Sequence, residues 1–298
     1  MTGEESVVTG EAVLRLSCVI LTMGNRPAQL QRAIASVQAQ RGDPVEIVVV
    51  VNGGTQPALP ADVRVVALPA NVGIPAGRNR GVEAATGDVV LFLDDDGWLV
   101  GTGAAERLRS AFAREASLGV VSFRITDPDG GPGQRRHVPR LRAGDPDRSS
   151  EVTTFLGGAC AVRRAVFDRC GGLPEHFHYA HEETDLAWRA LDAGFRLRYD
   201  ADVQMHHPAV IPHRHPEFLR LNARNRVWLA RRNLPWPLAA WYLADWVVLT
   251  TARERSLPAL AVWARGFAEG WRSPSGPRRP MRWVTAARMA RLGRPPII

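Results

Sequence analysis

Three consecutive carboxylates, Asp94-Asp95-Asp96, follow directly on the apolar run Val89-Val90-Leu91-Phe92-Leu93 and precede Gly97. Side chains two apart on an extended chain share a face, so Asp94 and Asp96 are expected to point together, with Asp95 opposed. Carboxylates this close repel one another unless a cation lies between them, and hard oxygen ligands suit Mg2+ or Mn2+. Magnesium commonly takes one or two carboxylates together with substrate phosphates, so the triplet predicts a phosphate-bearing substrate. A solvated acidic turn closing a strand is the plain alternative for three aspartates taken alone. Two further stretches offer chemistry. Asn71 to Gly81 is glycine-rich, carries Arg78 and Arg80 and leads into a helix, a pattern suited to phosphate contact or to a plain flexible loop and helix cap. Glu182-Glu183-Thr184-Asp185 forms a second acidic cluster at the start of another helical pattern.

These groups need elements to hold them. Leu16 to Leu21 and Glu46 to Val51 are continuous apolar runs, as are Val89 to Leu93 and Val120 to Ile125, and each reads as a strand buried on both faces. Val63 to Leu68, Phe155 to Val162 and Phe195 to Tyr199 read as further strands. Pro27 suits a first helical position, and Leu30, Ile34 and Val37 recur at helical spacing up to Gln40. Helices are also expected through Val82 and Ala85, over 104–115, over 164–169, and through Trp188 and Leu191 to a stop at Gly194. Strand–helix–strand order with apolar strands predicts a parallel sheet with right-handed crossovers. In such sheets ligands bind outside the carboxyl ends of the strands, where Asp94 to Asp96 and the loop Thr22 to Pro27 fall. The segment 127–150, rich in Pro, Gly, Asp and Arg, is expected to be a loop, either a lid over the cleft or a surface insertion.

Bulk properties set the frame. The 298 residues are 45% hydrophobic and 23% charged, which fits a globular chain with a large core. The formal charge of +8 is carried entirely by arginine and suits nucleotides, phosphates, anionic lipid or nucleic acid without choosing among them. Cys18, Cys160 and Cys170 have no paired spacing, so neither a disulfide framework nor a zinc site is expected, in keeping with a reducing compartment. The polar, acidic start is not of secretory type. The longest apolar stretch, Trp236 to Ala252, is interrupted by Asp245 and falls short of the roughly 20 residues that span a bilayer.

Four blocks in order resemble a family-2 glycosyltransferase of the GT-A, inverting type, over about residues 15–210. They are Val19-Ile20-Leu21-Thr22 with Asn25-Arg26; the run from Asn71 and Gly73 through Arg78, Asn79 and Gly81 to Gly87-Asp88; Phe92-Leu93-Asp94-Asp95-Asp96; and Glu182-Glu183-Thr184-Asp185-Leu186 with Arg189 and Gly194. The resemblance implies an α/β GT-A fold. That means a Rossmann-like, mostly parallel central sheet flanked by helices, here with a helical C-terminal extension. The expected division is a flexible tail over 1–13, a catalytic domain over 14–212 and an Arg/Trp-rich extension over 213–298. Within the catalytic domain, 14–100 would be the nucleotide-sugar half and 101–212 the acceptor half.

The resemblance also implies roles. Asp96 would coordinate Mg2+ or Mn2+ on the diphosphate of a UDP-, dTDP- or GDP-sugar, with Asp94 beside it and His206 or His207 completing the shell. Thr22, Asn25, Arg26, Asn52, Arg78 and Asp95 would line the donor site. Glu183 would deprotonate the acceptor hydroxyl as general base, supported by Glu182 and Asp185, whose like charges and partial burial would raise its pKa. Asp185 is also suited to capping the following helix. One departure stands out: the family commonly has an acidic residue at the end of the second strand, where this chain has Val51-Asn52-Gly53-Gly54. That leaves the donor base open.

The extension carries Trp236, Trp241, Trp246 and Trp263 among Arg231, Arg232, Arg253 and Arg255. Such helices suit a membrane interface, tight packing on the catalytic domain, or a homodimer contact. The expected location is cytoplasmic, at the inner face of the plasma membrane if the extension meets lipid. The function expected is transfer of a sugar to a hydroxyl in cell-envelope polysaccharide, glycolipid or a secondary metabolite. A metal-dependent nucleotidyltransferase acting on a sugar phosphate is the alternative, but it would want a Gly-rich, lysine-bearing loop after the first strand, and Thr22-Met23-Gly24-Asn25-Arg26 lacks both. A nucleic-acid partner is not expected, because it explains neither acidic cluster.

Overall fold

Leu16–Thr22 (β1) is the central strand of the amino-terminal half. It pairs in parallel with Glu46–Asn52 (β2) on one side and Val89–Asp94 (β4) on the other. Arg64–Leu68 (β3) adds to β2, also in parallel. The computed structural model describes residues 13–131, 137–139, 145–208 and 217–297. The expected tail over residues 1–13 lies outside these except for Val13, and so does much of the 127–150 loop.

The alternation of the strands explains why they are apolar throughout. Val19, Val48, Val50, Val90 and Phe92 face one core, while Cys18, Ile20, Val49, Leu91 and Leu93 face another on the opposite side of the sheet. With helices on both faces, neither side of a strand meets water. Pro27–Gln38 (α1) covers the second face through Leu30, Ile34 and Val37. Ile74–Ala84 (α2) covers the first, and Gly77 and Gly81 let it approach β1 closely. A Cβ at Gly77 would lie 2.5 Å from the Leu21 side chain, and one at Gly81 2.2 Å from that of Val19.

Beyond β4 the sheet becomes mixed. Ala159–Arg163 (β8) is antiparallel to β4, and Leu118–Thr126 (β6) is antiparallel to β8. Arg196–His206 (β9) then runs parallel to β6, with Trp98–Leu99 (β5) and Ser150–Glu151 (β7) antiparallel to it. The order is β3-β2-β1-β4-β8-β6-β9-β5, with β7 on β9. Ala104–Arg114 (α3), Arg164–Cys170 (α4) and Glu182–Asp192 (α5) pack on this half.

Two strands differ from expectation for identifiable reasons. β9 continues past Tyr199 to His206, because its pairing with β6 resumes after an irregularity at Phe123/Arg124. The polar residues Asp200, Asp202 and Gln204 hide that continuation from an apolar pattern. The strand expected from Phe155 begins only at Ala159, because Leu156-Gly157-Gly158 forms a turn against the site.

The extension is helical: Phe218–Asn233 (α6), Trp236–Arg253 (α7), Leu257–Arg272 (α8) and Trp283–Arg291 (α9). Gly266 and Gly270 let α8 lie directly on the α6 backbone, since a Cβ there would sit 2.2 Å from Arg220 O and 2.7 Å from Arg224 O. Val227, Leu229, Tyr242 and Met289 belong to the same core as Leu186 and Trp188 of α5, so the extension packs on α5. Among the described residues no helix is long and apolar enough to cross a membrane.

Candidate active site

β1, β2 and β4 end at one edge of the sheet, and their carboxyl ends form the floor of a cleft. β4 stops at Asp94, where the Gly97 N–H donates to the Asp94 carbonyl at 3.0 Å and the chain turns. That turn, rather than strand alternation, sets the three carboxylates. Asp94 reaches toward Arg78, whose Nη2 lies 3.0 Å from Asp94 Oδ1. Asp95 accepts from Thr22 Oγ1 at 2.7 Å and lies 3.4 Å from Arg26 Nη1. Asp96 pairs with Arg26 and lies 3.1 Å from His207 Nε2, which is also 4.0 Å from Asp94 Oδ2. Asp95 is thus turned to β1, while Asp94 and Asp96 converge on His207.

Asp94, Asp96 and His207 each offer one ligand atom, and the three lie within 4.8 Å of one another. Two carboxylate oxygens and an imidazole nitrogen fit a divalent cation. Burial would raise the pKa of Asp96, but His207 and Arg26 more than offset this and hold it below the usual range. Burial lowers that of His207, and the two carboxylates overcome it. Asp95 is pushed up by burial despite its bond from Thr22. His206 is placed elsewhere. Its Nδ1 meets Thr126 Oγ1 at 2.9 Å and its ring packs on Trp98, so of the two histidines only His207 joins the cluster.

Asn25, Arg26, Asn52 and Arg78 line a cleft of about 600 Å3 with the three aspartates. Asn52 is buried. Its amide donates to Asn71 Oδ1 at 3.0 Å and its carbonyl oxygen accepts from the Val72 N–H at 2.9 Å, so it holds the loop leading into α2. A second cavity of about 410 Å3 continues the first through Ile74, Arg78, Asp94 and Tyr179, and reaches Phe155, Glu182 and Glu183. Arg78, with a side chain only 7% exposed, stands where the two meet, 3.9 Å from both Glu182 and Glu183.

The acidic cluster divides sharply. Glu183 is 23% exposed toward the second cavity, whereas Glu182 is 2% exposed and its Oε2 has no protein partner among the described residues. Burial and the neighbouring Glu183 raise the Glu182 pKa to about 8. Burial likewise raises that of Glu183, against the pull of Arg78. Asp185 does not cap α5, contrary to expectation. His181 holds the cap position, and Asp185 lies within the first turn, fully buried, bonded by Arg189, Arg232 and Asn233. It faces α6 rather than the cleft, so it anchors the extension.

His178 and Tyr179 line the cleft but carried no sequence signal. His178, Ala180 and His181 all have positive φ, an uncommon backbone for residues with a Cβ, and His178 O accepts from the Ile74 N–H at 2.8 Å. Gly157 and Gly158 were read only as small strand residues. A Cβ on Gly158 would lie 1.9 Å from Asp94 Oδ2, and one on Gly157 2.3 Å from Glu183 Oε1. Bare backbone there leaves room for both carboxylates.

Residues 18–171 match the family described as Glycosyl transferase family 2. The chain belongs to that family. Within it, the chain is 28% identical over 234 residues to the pre-mycofactocin glycosyltransferase of Mycobacterium tuberculosis strain H37Rv. That match covers 72% of this chain and 44% of the relative, so the chain spans less than half the relative's length. In fold, this family-2 chain is similar to Staphylococcus aureus TarS 1-349, with a TM-score of 0.62 and 17% identity over 86% of this chain and 81% of that one. It is also similar to GalNAc-T7, solved with UDP, GalNAc and Mn2+, with a TM-score of 0.62 and 16% identity over 88% of this chain and 57% of that one. The mixed α/β sheet with flanking helices is the GT-A fold. Family membership gives no support to the nucleotidyltransferase alternative.

Proposed function

We propose that this chain transfers a glycosyl group from a nucleoside-diphosphate sugar to an acceptor hydroxyl in one displacement that inverts the anomeric carbon. The observation that carries this reading is a continuous cleft with a metal-ligand triad in one part and an accessible carboxylate in the other. Asp94, Asp96 and His207 stand on the donor side, Glu183 on the acceptor side, and Arg78 lies between them. Structures of TarS with UDP and UDP-GlcNAc, and of GalNAc-T7 with UDP and Mn2+, support a nucleotide-sugar donor.

Thr22, Asn25, Arg26 and Asn52 contact the nucleoside in this reading, with Asp95 keeping Thr22 and Arg26 in place. A divalent ion held by Asp94, Asp96 and His207 would neutralise charge on the leaving diphosphate. Arg78 adds a fixed positive charge beside the reacting centre. Glu183 accepts the acceptor proton as the new bond forms, which compensates for the poor nucleophilicity of an alcohol. Glu182, mostly protonated at neutral pH and only 2% exposed against 23% for Glu183, leaves Glu183 as the base. One displacement needs no enzyme nucleophile.

The exposed face of α7 supports an acceptor held at a lipid surface. Trp236, Pro237, Ala240, Trp241, Ala244, Val247 and Val248 follow one another around that face and are all exposed, Trp241 at 58% and Val248 at 64%. Arg253 and Arg255 lie exposed at its end. A helix with this division lies in a membrane interface and favours anionic lipid. The proposed setting is the inner face of the plasma membrane, with glycolipid or cell-envelope acceptors.

Calorimetric titration of UDP, dTDP and GDP, with and without Mn2+, tests the donor site in wild type and Asp96→Ala. Metal-dependent binding of one nucleotide, lost in Asp96→Ala, is the expected result and names the base. Absence of nucleotide binding under every condition rejects the reading. Product retaining the donor's anomeric configuration by NMR rejects the single displacement.

A further inference from the structure

A separate small cavity of about 140 Å3 lies between α5 and the extension, away from the donor cleft. Its lining includes Thr153, His181, Arg226, Tyr242, Trp246 and Arg294. Arg226 is 9% exposed. Its Nη1 donates to Tyr242 Oη at 3.1 Å, and its Cζ lies 3.3 Å from the centre of the Trp246 ring. Among the described residues no carboxylate pairs with it. A buried guanidinium with one neutral partner and an aromatic face is an uncompensated charge, which is strongly unfavourable in a protein interior.

The polar atoms around it share a bias. Trp246 Nε1 is a donor and Thr153 Oγ1 can donate, while the His181 ring bonds to the Asn222 side chain and leaves its Nε2 facing the cavity. All three are buried without a hydrogen-bond partner among the described residues, and Thr153 as a whole is 2% exposed. Burial, with Arg226 and Arg294 nearby, keeps His181 neutral. The lining therefore presents the unbalanced charge of Arg226 and two spare donors, Trp246 Nε1 and Thr153 Oγ1. Waters would satisfy the donors, but they would leave the charge unbalanced. An anion with several acceptor oxygens answers both.

We propose that this cavity is a binding site for a small tetrahedral oxyanion of the phosphate class, held by Arg226, Trp246 Nε1 and Thr153 Oγ1. Its size suits a free ion or a single phosphoryl group. The site is built from α6 and α7 on one side and from the segment before α5 on the other. His181 is the cap of α5 and Glu183 stands in its first turn, so the bound ion joins the extension to the acceptor half beside the carboxylate cluster. The inference does not depend on the glycosyl-transfer reading.

Thermal unfolding in chelator, with millimolar inorganic phosphate against chloride at equal ionic strength, tests the site. Trp246→Phe keeps an aromatic ring and removes the donor; Arg226→Met removes the charge at similar volume. The expected result is a rise in wild-type Tm of about 2–4 °C with phosphate alone, reduced in Trp246→Phe and lost in Arg226→Met. Should Arg226→Met fail to fold, Trp246→Phe still decides. The same rise with glucose 1-phosphate shows that a phosphoryl group on a larger molecule enters, and no rise shows a site for the free ion. An equal response to chloride overturns the oxyanion assignment. A rise undiminished in both variants, or lost instead in Arg26→Met, puts the ion in the donor cleft and overturns the proposal. Absence of any response shows a cavity holding water only, with the same consequence.

Discussion

Arg78 Nη1 lies 3.9 Å from Glu183 Oε1, while Nη2 of the same guanidinium lies 3.0 Å from Asp94 Oδ1. One buried cation therefore connects Glu183 to the Asp94–Asp96 cluster. Burial raises the Glu183 pKa and Arg78 opposes that rise. A base works only when deprotonated, so activity should fall as pH drops through the Glu183 pKa. Removing the cation in Arg78→Met should move that acid limb to higher pH, in addition to weakening donor binding. The log kcat–pH profile at saturating donor checks this. A limb that stays in place would disconnect Arg78 from Glu183.

The two adjacent glutamates separate by substitution. Glu183→Gln should lower kcat by roughly 10²–10⁴-fold, the usual contribution of a positioned base, while nucleotide affinity is kept. Glu182→Gln replaces a carboxyl that is mostly protonated at neutral pH and should keep most activity there. It also removes a like charge from beside Glu183 above a pH of about 8. Comparable losses in both variants would show that the pair acts as a unit.

Gly158→Ala tests the backbone that borders the metal triad. The added Cβ would lie 1.9 Å from Asp94 Oδ2. Asp94 is 40% exposed, so its side chain can swing away at little cost to the fold. The predicted outcome is a near-unchanged Tm with Mn2+ affinity, measured in the presence of UDP, reduced by about tenfold or more, the scale of a perturbed metal shell. Full Mn2+ affinity would mean that Asp94 is not a ligand.

Much of this site was legible because strand ends are legible. Continuous apolar runs marked β1, β2 and β4, and the residues just past them, Thr22, Asn52 and Asp94 to Asp96, fell in the cleft as a parallel sheet requires. His207 could not be separated from His206 in sequence, because the choice depends on where β9 ends, and that end lies in a polar stretch. Asp185 was misread as a cap because its partners Arg232 and Asn233 lie on α6, remote in the chain. His178 and Tyr179 gave no signal, since a left-handed backbone at His178 and Ala180 is imposed by packing and not by residue type.

The apolar face of α7 predicts lipid binding. Full-length protein should sediment with vesicles containing anionic lipid and less with neutral ones, more weakly as salt rises. Trp241→Glu with Val248→Glu should reduce binding while leaving donor affinity unchanged, because both side chains point to solvent. Unaltered sedimentation of the double variant would remove α7 from the contact.

Asp185 predicts where the extension is fastened. Its carboxylate is fully buried between Arg189 of its own helix and Arg232 and Asn233 of α6, at 2.7–2.9 Å. Burial alone would raise its pKa, but the two guanidiniums and the amide hold it below the usual value. A depressed carboxylate contributes stability that is present above its unfolded pKa of about 3.9 and is lost as pH falls through the lower, folded value. Asp185→Asn leaves two arginines partly buried around a neutral group, a change that costs about 3–5 kcal/mol in comparable buried pairs. Chemical denaturation at neutral pH should show that loss, and the gap between variant and wild type should close in strong acid as wild-type Asp185 protonates. A variant as stable as wild type at neutral pH would mean that the hydrophobic contacts of Val227 and Leu229 alone hold α6 in place.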